Sequence, residues 1–479
     1  MMEEPRQLFE DVDLSDVGTG GHGFKTCQGM RRCPKTCAGC MSCVKGGRGQ
    51  PQHQNTGAAT LIDVCRNGDL HQVKNILSQG TANINARGKH GMTPAMIAAK
   101  EGHKEILEVL VKKGSDLSLL DDDENNILHL ASNEGHLEIV KYIYSLNIVD
   151  IEIREVHGYT PIMLAALFGQ TRVFLFLAKM GADLSLWSDL TENILHLSCR
   201  GGNEEIVKYV IKRNVVGINS KQHRDMTAVL LAVKYGYSVV FDFLLANGAD
   251  LLAVDTLGNG VLHLACEGGN VDIVKFVVTI HIVDVNTRAD DGRTPVLTAA
   301  AFGHSTVFEY LVKCGADLSV VDNDYNNIFH LACAGGDMDI VKYVFKLNEE
   351  YINQRAAYGQ TPALIAAASG HSAVLEYLVK RGANVLAVDD HGDNILHVAC
   401  EEGDMDTVKF VLNLNVVDIN SKGIDGFTPV MLATELEERD VFDILIENGA
   451  YVSVEKYIGN VFHMDMIAFC QMCCQTAWG

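Results

Sequence analysis

Apolar residues recur along this chain in short blocks of two kinds. In one, a Thr-Pro step opens an alanine-rich run, at Thr93-Pro94, Thr160-Pro161, Thr294-Pro295, Thr361-Pro362 and Thr428-Pro429, with Thr227-Ala228 in the sixth such place. In the other, Asn-Ile-Leu-His or a close variant opens the run, at Asn126, Asn193, Gly260, Asn327, Asn394 and Asn460. Residues 294–326 show what such a block predicts. Thr294 offers an N-cap oxygen, and Pro295 takes the first helical position, where its missing N–H costs nothing. A short helix through Ala301 follows, and Gly303 can take the left-handed conformation that ends it. A second helix places Val307, Phe308, Leu311 and Val312 on one apolar face, and Gly315 closes it. Asp317 to Asn323 then leads out as an extended, polar-tipped finger. In the other kind of block Asn serves at the N-cap, and Asn147, Asn214, His281, Asn348 and Asn415 stop the second helix, since Asn tolerates left-handed geometry.

Thr93 to Asn126 is 33 residues and Asn126 to Thr160 is 34, so the two kinds alternate in a 67-residue double unit. Fixed periods of this size define whole architectures. Unit length and motif resemble the ankyrin repeat, with its T-P-L-H-x-A signature, over roughly residues 58 to 463. The signature is divided here: one unit keeps Thr-Pro, the other keeps Leu-His. The resemblance implies an all-α repeat solenoid of stacked helix-turn-helix repeats with β-hairpin-like fingers. About 12 complete repeats and a partial one begun at Asn460 are expected, in an elongated, curved array about 100 Å long. Ala58–Met92 lacks both signatures, as a terminal capping repeat does. The expected organisation is 1–57 as a Cys/Gly-rich region without fixed structure, 58–459 as the array, and 460–479 as an incomplete repeat and tail.

Composition narrows the function. The balance of 39 Lys+Arg against 61 Asp+Glu gives −22, a field that repels polyanions, so nucleic acid is not the expected partner. The acidic start lacks the basic and apolar regions of a secretory signal, and no run of about 18 apolar residues is present to span a membrane. Fourteen cysteines without an export signal fit a reducing compartment, the cytoplasm, with the nucleus left open. No P-loop, H-E-x-x-H or G-x-S-x-G motif is found, so no enzyme is expected in this chain.

His129, His196, His263, His330 and His397 recur every 67 residues. Each lies about 20 Å from the next by helix-packing distances, too far to share a metal. The ankyrin resemblance assigns this histidine to the hydrogen-bonded turn network. Cys199, Cys266, Cys333 and Cys400 read as small core residues, and Lys141, Lys208, Lys275, Lys342 and Lys409 as solvated positions. Among the fingers, Arg87, Arg154, Lys221, Arg288, Arg355 and Lys422 alternate with acidic fingers at Asp121–Glu124, Asp189, Asp255, Asp322 and Asp389-Asp390. Two readings stand: weak attraction between neighbours, or a charge-striped recognition surface.

In ankyrin proteins, finger tips and first helices line the concave face that holds partners. That implication gives the candidate partner-binding set: Arg154, Arg224, Asp255, Arg288, Asp322, Tyr325, Arg355, Tyr358, Asp389 and His391. Tyr325 and Tyr358 are the anchor candidates, because hot spots favour Tyr, Trp and Arg. Trp187 stands in a register otherwise held by Leu or Val and is expected to be buried at a finger base. Asn286 and Asn420 resemble ankyrin asparagines that a dioxygenase can hydroxylate, but the same residue is good turn chemistry, and the turn is the preferred reading.

The ends carry two further features. Cys27, Cys33, Cys37, Cys40 and Cys43 crowd a short basic stretch, open to a zinc-held knuckle or to a tail that is lipidated or redox-modified. No other cofactor is expected. Gly18-Thr-Gly20-Gly-His-Gly23 fits G-x-G-x-x-G, but neither a strand before it nor a helix after it supports phosphate binding. The expected function is an intracellular scaffold or adaptor, monomeric, binding other proteins. The alternatives are a targeting or regulatory subunit of a ubiquitin ligase or phosphatase, or part of a longer channel or acyltransferase.

Overall fold

The computed structural model describes residues 60–424 and 426–451. The N-terminal cysteines, the glycine-rich motif beside them and the unit begun at Asn460 lie outside the described residues. Within them the chain forms twelve helix pairs, from Leu61–Arg66 with Leu70–Ser78 to Pro429–Glu435 with Arg439–Glu447. Numbered in order, the even repeats begin with Thr and the odd ones from the third begin with Asn or Gly. First helices pack on first helices and second on second, one apolar face each, around a continuous core of Leu, Ile, Val, Ala and Phe. Cys199, Cys266, Cys333 and Cys400 are fully buried in it, and burial raises their thiols above the ordinary value. Cys65 is pushed up to about 12 for the same reason. Such thiols are packing groups, not nucleophiles.

Helix starts follow the two kinds of block, unequally. Asn126, Asn193, Asn327 and Asn394 each accept backbone N–H groups with the side-chain oxygen. Thr294 sits at the N-cap with Pro295 behind it, but its hydroxyl accepts no N–H and is buried without a partner, as are those of Thr160, Thr227 and Thr428. Among the six N-cap threonines of the even repeats, Thr93 and Thr361 cap through the side chain. In the fourth, eighth and twelfth repeats, where the threonine hydroxyl caps nothing, the preset φ of proline is therefore the main start signal. Gly303 and Gly315 are left-handed, at φ 71° and 89°. Asn147, Asn214, His281 and Asn415 are left-handed as the sequence predicts. Asn348 departs: its φ is −153°, and its side chain accepts from Glu350 to start a 3-10 turn over Glu349–Asn353.

The fingers are tied into a ladder. The N–H of Asp122 donates to the carbonyl of His90 at 3.0 Å, and equivalent bonds join Val156 to Asp123, Asp189 to His157, Thr256 to Arg224 and onward to Ile424 with His391. One rung is missing among the described residues, between Leu190 of the fifth repeat's finger and His223 of the sixth's. At the same seam Asn193 Nδ2 and Gln222 Oε1 are buried without partners.

Candidate functional site

The alternation of repeats becomes physical at their interfaces. From an even finger to the following odd one, an arginine reaches forward. Arg87 donates to the Leu120 carbonyl at 2.6 Å and to Asp122 at 3.0 Å. Arg154 reaches the Trp187 carbonyl at 2.7 Å and Asp189 at 3.1 Å. Arg355 does the same with Val388 and Asp390. Arg288 reaches only the Val321 carbonyl, because Asn323 stands where the others have Asp. These ion pairs are roughly half exposed, so each contributes about 0–1 kcal/mol.

The same even-to-odd interface is bracketed by an asparagine. Asn219 Oδ1 accepts from the Asp250 N–H at 2.9 Å while its Nδ2 donates to the Gly248 carbonyl at 3.3 Å. Asn286, Asn353 and Asn420 repeat both bonds. Asn286 and Asn420 therefore carry turn and bracing work together. Glu152 occupies this register in the fourth repeat; one oxygen accepts from Asp183, and the other is buried without a partner.

From odd to even the histidine takes over. Nδ1 of His129 accepts the Asn126 N–H at 3.2 Å, and Nε2 donates to the Tyr159 carbonyl at 3.0 Å. His196, His330 and His397 do likewise toward Ser220, Gln354 and Phe427. Accepting at Nδ1 requires neutral imidazole, and burial holds His129 down at about 4 and lowers the other four. At His263 the N-cap is Gly260, and Nδ1 is left without a partner.

A second histidine series escaped the sequence reading. His103, His136, His304 and His371 each place Nε2 about 3 Å from a carbonyl at the end of the preceding repeat's first helix. Gln170 replaces them in one repeat, bonding Asn133. Their Gly-His spacing was the available signal.

The candidate residues divide by where they point. Asp322 and Asp389 are buried and Asp255 half-buried. Their carboxylates fold back on their own fingers: Asp322 Oδ1 accepts from Asp324 at 3.0 Å and Asn326 at 2.8 Å, and Asp255 and Asp389 copy it. Arg154, Arg288 and Arg355 are exposed but occupied by the next finger. Arg224, half-buried, holds φ 63° at its finger tip. Tyr325 and Tyr358 are 70% and 66% exposed, and Tyr358 stacks on the exposed His391 with ring centroids 6.5 Å apart. Trp187 is not buried. It is 39% exposed, because its register lies on the outward side of the finger hairpin, where Val254, Val321 and Val388 are exposed too. Its ring meets His196 edge-on at 5.9 Å.

Tyr325 has φ 60°, in a position where seven of the eleven fingers have glycine. A bulky side chain there costs roughly 1–2 kcal/mol. With Tyr358, His391 and the 74%-exposed Ile424, it makes an aromatic and apolar crest on four successive fingers. Among the described residues no group of His, Cys, Asp and Glu is placed to hold a metal, and no helix is long and apolar enough to cross a membrane.

Comparison with known proteins agrees with this architecture. The family model for ankyrin repeats (3 copies) matches residues 43–121, 113–187, 163–255, 251–322, 299–389 and 383–456. Ankyrin repeat and KH domain-containing protein mask-1 of Caenorhabditis elegans is 31% identical over 74% of this chain and 14% of its own. Transient receptor potential cation channel subfamily A member 1 of Homo sapiens is 23% identical over 75% of this chain and 33% of its own. E3 ubiquitin-protein ligase KEG of Arabidopsis thaliana is 26% identical over 59% and 18%. The chain thus spans a third or less of the length of these relatives. The divided Thr-Pro and Leu-His signals, the stacked helix pairs and the matched segments from residue 43 to 456 place the chain in the ankyrin-repeat family.

Proposed function

We propose that this chain is an intracellular interaction scaffold or adaptor that holds a partner protein on its finger tips, chiefly on the crest from Tyr325 to Ile424. The observation that supports this is Tyr325, a large ring kept 70% exposed in a left-handed backbone conformation that glycine fills in seven of the other ten fingers. Backbone strain of this kind is retained where it serves a site rather than the fold. An exposed aromatic with two side-chain torsions is also a low-entropy anchor for a partner. Ankyrin arrays are interaction modules, and the residues braced between fingers supply rigidity to the surface rather than contacts on it. Arg154, Arg288 and Arg355 serve in this way; Asp322 and Asp389 shape the tips that present Tyr325 and His391, and Asp255 shapes its own tip likewise.

The test separates binding from folding. Photo-crosslinking side chains placed at Tyr358 and His391 should trap protein adducts in cells, while one at Lys141, on a second helix, should not. Tyr325→Gly should stabilise the array by about 1 kcal/mol by relieving the left-handed position, and should abolish those adducts. Equal adducts from all positions, or adducts undiminished by Tyr325→Gly, would remove the crest from the reading.

A further inference from the structure

The residue that closes the first helix of the even repeats is Glu101, Phe168, Tyr235, Phe302, Ser369 and Leu436, again 67 apart. Phe168, Tyr235 and Phe302 are 40%, 44% and 36% exposed. At the same register of the odd repeats stand Gly201 and Gly268 between the rings and Gly335 beyond Phe302, while Glu134 precedes Phe168. A Cβ on any of the three would come within 2.6 Å of a carbonyl oxygen of the preceding first helix, so packing enforces bare backbone there. Tyr235 and Phe302 therefore meet bare backbone at this register on both sides, and Tyr235 also stacks on Tyr237 of its own repeat with ring centroids 6.2 Å apart. The rings recur every second repeat, roughly 20 Å apart at two helix-packing distances.

Charge marks the ends of the row. Beside the rings, Arg200 pairs with Glu192 at 2.9 Å and Lys234 with Glu267 at 2.5 Å, so the charges cancel. The first-helix ends turn acidic on both sides, at Glu101 and Glu134 before Phe168 and at Glu401, Glu402, Glu435 and Glu437 beyond Phe302. We infer that this row binds an extended segment of a partner protein with large apolar side chains six residues apart and basic residues beyond one end. In an extended chain every sixth side chain lies on the same face, and six residues span about 20 Å. Three rings are then met within about thirteen residues, where a helix would need about twice that length. An acidic segment would meet like charge at Glu435. The inference rests on the array binding proteins, but on a surface separate from the finger crest.

The probe is a Ser/Gln-rich peptide with three leucines six residues apart and two lysines about nine and twelve residues past the last, matching three and four repeats. Binding to the full chain is read by fluorescence anisotropy. The expected result is at least tenfold tighter binding than a peptide of the same composition with its leucines seven apart. Tyr235→Ala and Phe302→Ala should each weaken it fivefold or more, with Tyr235→Phe restoring it, and Glu435→Lys should weaken it at low salt. Tyr325→Gly should leave it unchanged, so a peptide that fails to bind while crest adducts form sinks this inference and leaves the crest reading standing. Indifference to leucine spacing, indifference to Tyr235→Ala, or helix formation by the bound peptide would overturn it.

Discussion

Nε2 of His129 lies 3.0 Å from the carbonyl oxygen of Tyr159, thirty residues on in the next finger, while Nδ1 of the same ring accepts the Asn126 N–H. One neutral imidazole thus joins a helix start to the following repeat. Its folded value near 4 lies below the ordinary 6.5. The unfolded chain takes up the proton first, so this stability is fully present above pH 6.5 and is lost as pH falls toward 4. For His129 the loss is on the order of 3 kcal/mol, and the other four rings shift the same way. Urea denaturation should show the midpoint falling steeply between pH 7 and 5. A flat midpoint over that range would contradict the neutral-ring bridge.

Gly260 deprives the seventh repeat of its side-chain cap, and the N–H of Gly260 does not reach His263 Nδ1, which has no partner. A Cβ at residue 260 meets nothing closer than Val254 at 3.7 Å, and the backbone there is extended. Gly260→Asn should restore the capping box and stabilise the array by about 0.5–1 kcal/mol. Thermal melts compare it with Gly260→Ala, which should gain less.

Glu152 stands where the other brackets are asparagine, and burial raises its carboxyl. A raised acid opposes folding while ionised, so its cost is present at neutral pH and fades as pH falls through its folded value. Glu152→Asn should raise stability at pH 7 by about 1 kcal/mol and should gain less at pH 4.5. Hydrogen exchange of the Asp183 amide reports whether the bracket forms.

Gly268 packs against bare backbone of the preceding first helix, with the Val233 and Lys234 carbonyl oxygens 2.6 Å from any added Cβ. Gly268→Ala should cost about 1–3 kcal/mol by forcing those helices apart. Circular dichroism melts check it, and a neutral outcome would show that the interface can slide.

The repeat and its two kinds of unit were legible because they obey local rules: caps, proline at the first turn and a fixed period; the histidine's place in the turn network came from the ankyrin resemblance, and its neutral state from the structure. What was hidden depends on neighbours. Asp322 and Asp389 fold into turns with N–H groups two and four residues on, which a reading of their charge alone passes over; that Arg154 and Arg355 are consumed by the next finger follows from partners 35 residues away. Trp187 was misplaced because its register is shared with valine and leucine, which sequence alone does not assign to one side of a hairpin. The rings at Phe168, Tyr235 and Phe302 went unseen since each occurs once per double unit, in a register that elsewhere holds Glu101, Ser369 and Leu436.

The absent rung between Leu190 and His223 bears on how such a chain comes apart. Rungs act in series, and a series yields at its weakest member. The seam between the fifth and sixth repeats is then held by His196 on the Ser220 carbonyl and by helix packing, without the finger rung the others have. Tension, heat or an intruding partner would be taken up there first, while each side keeps its own fingers in register.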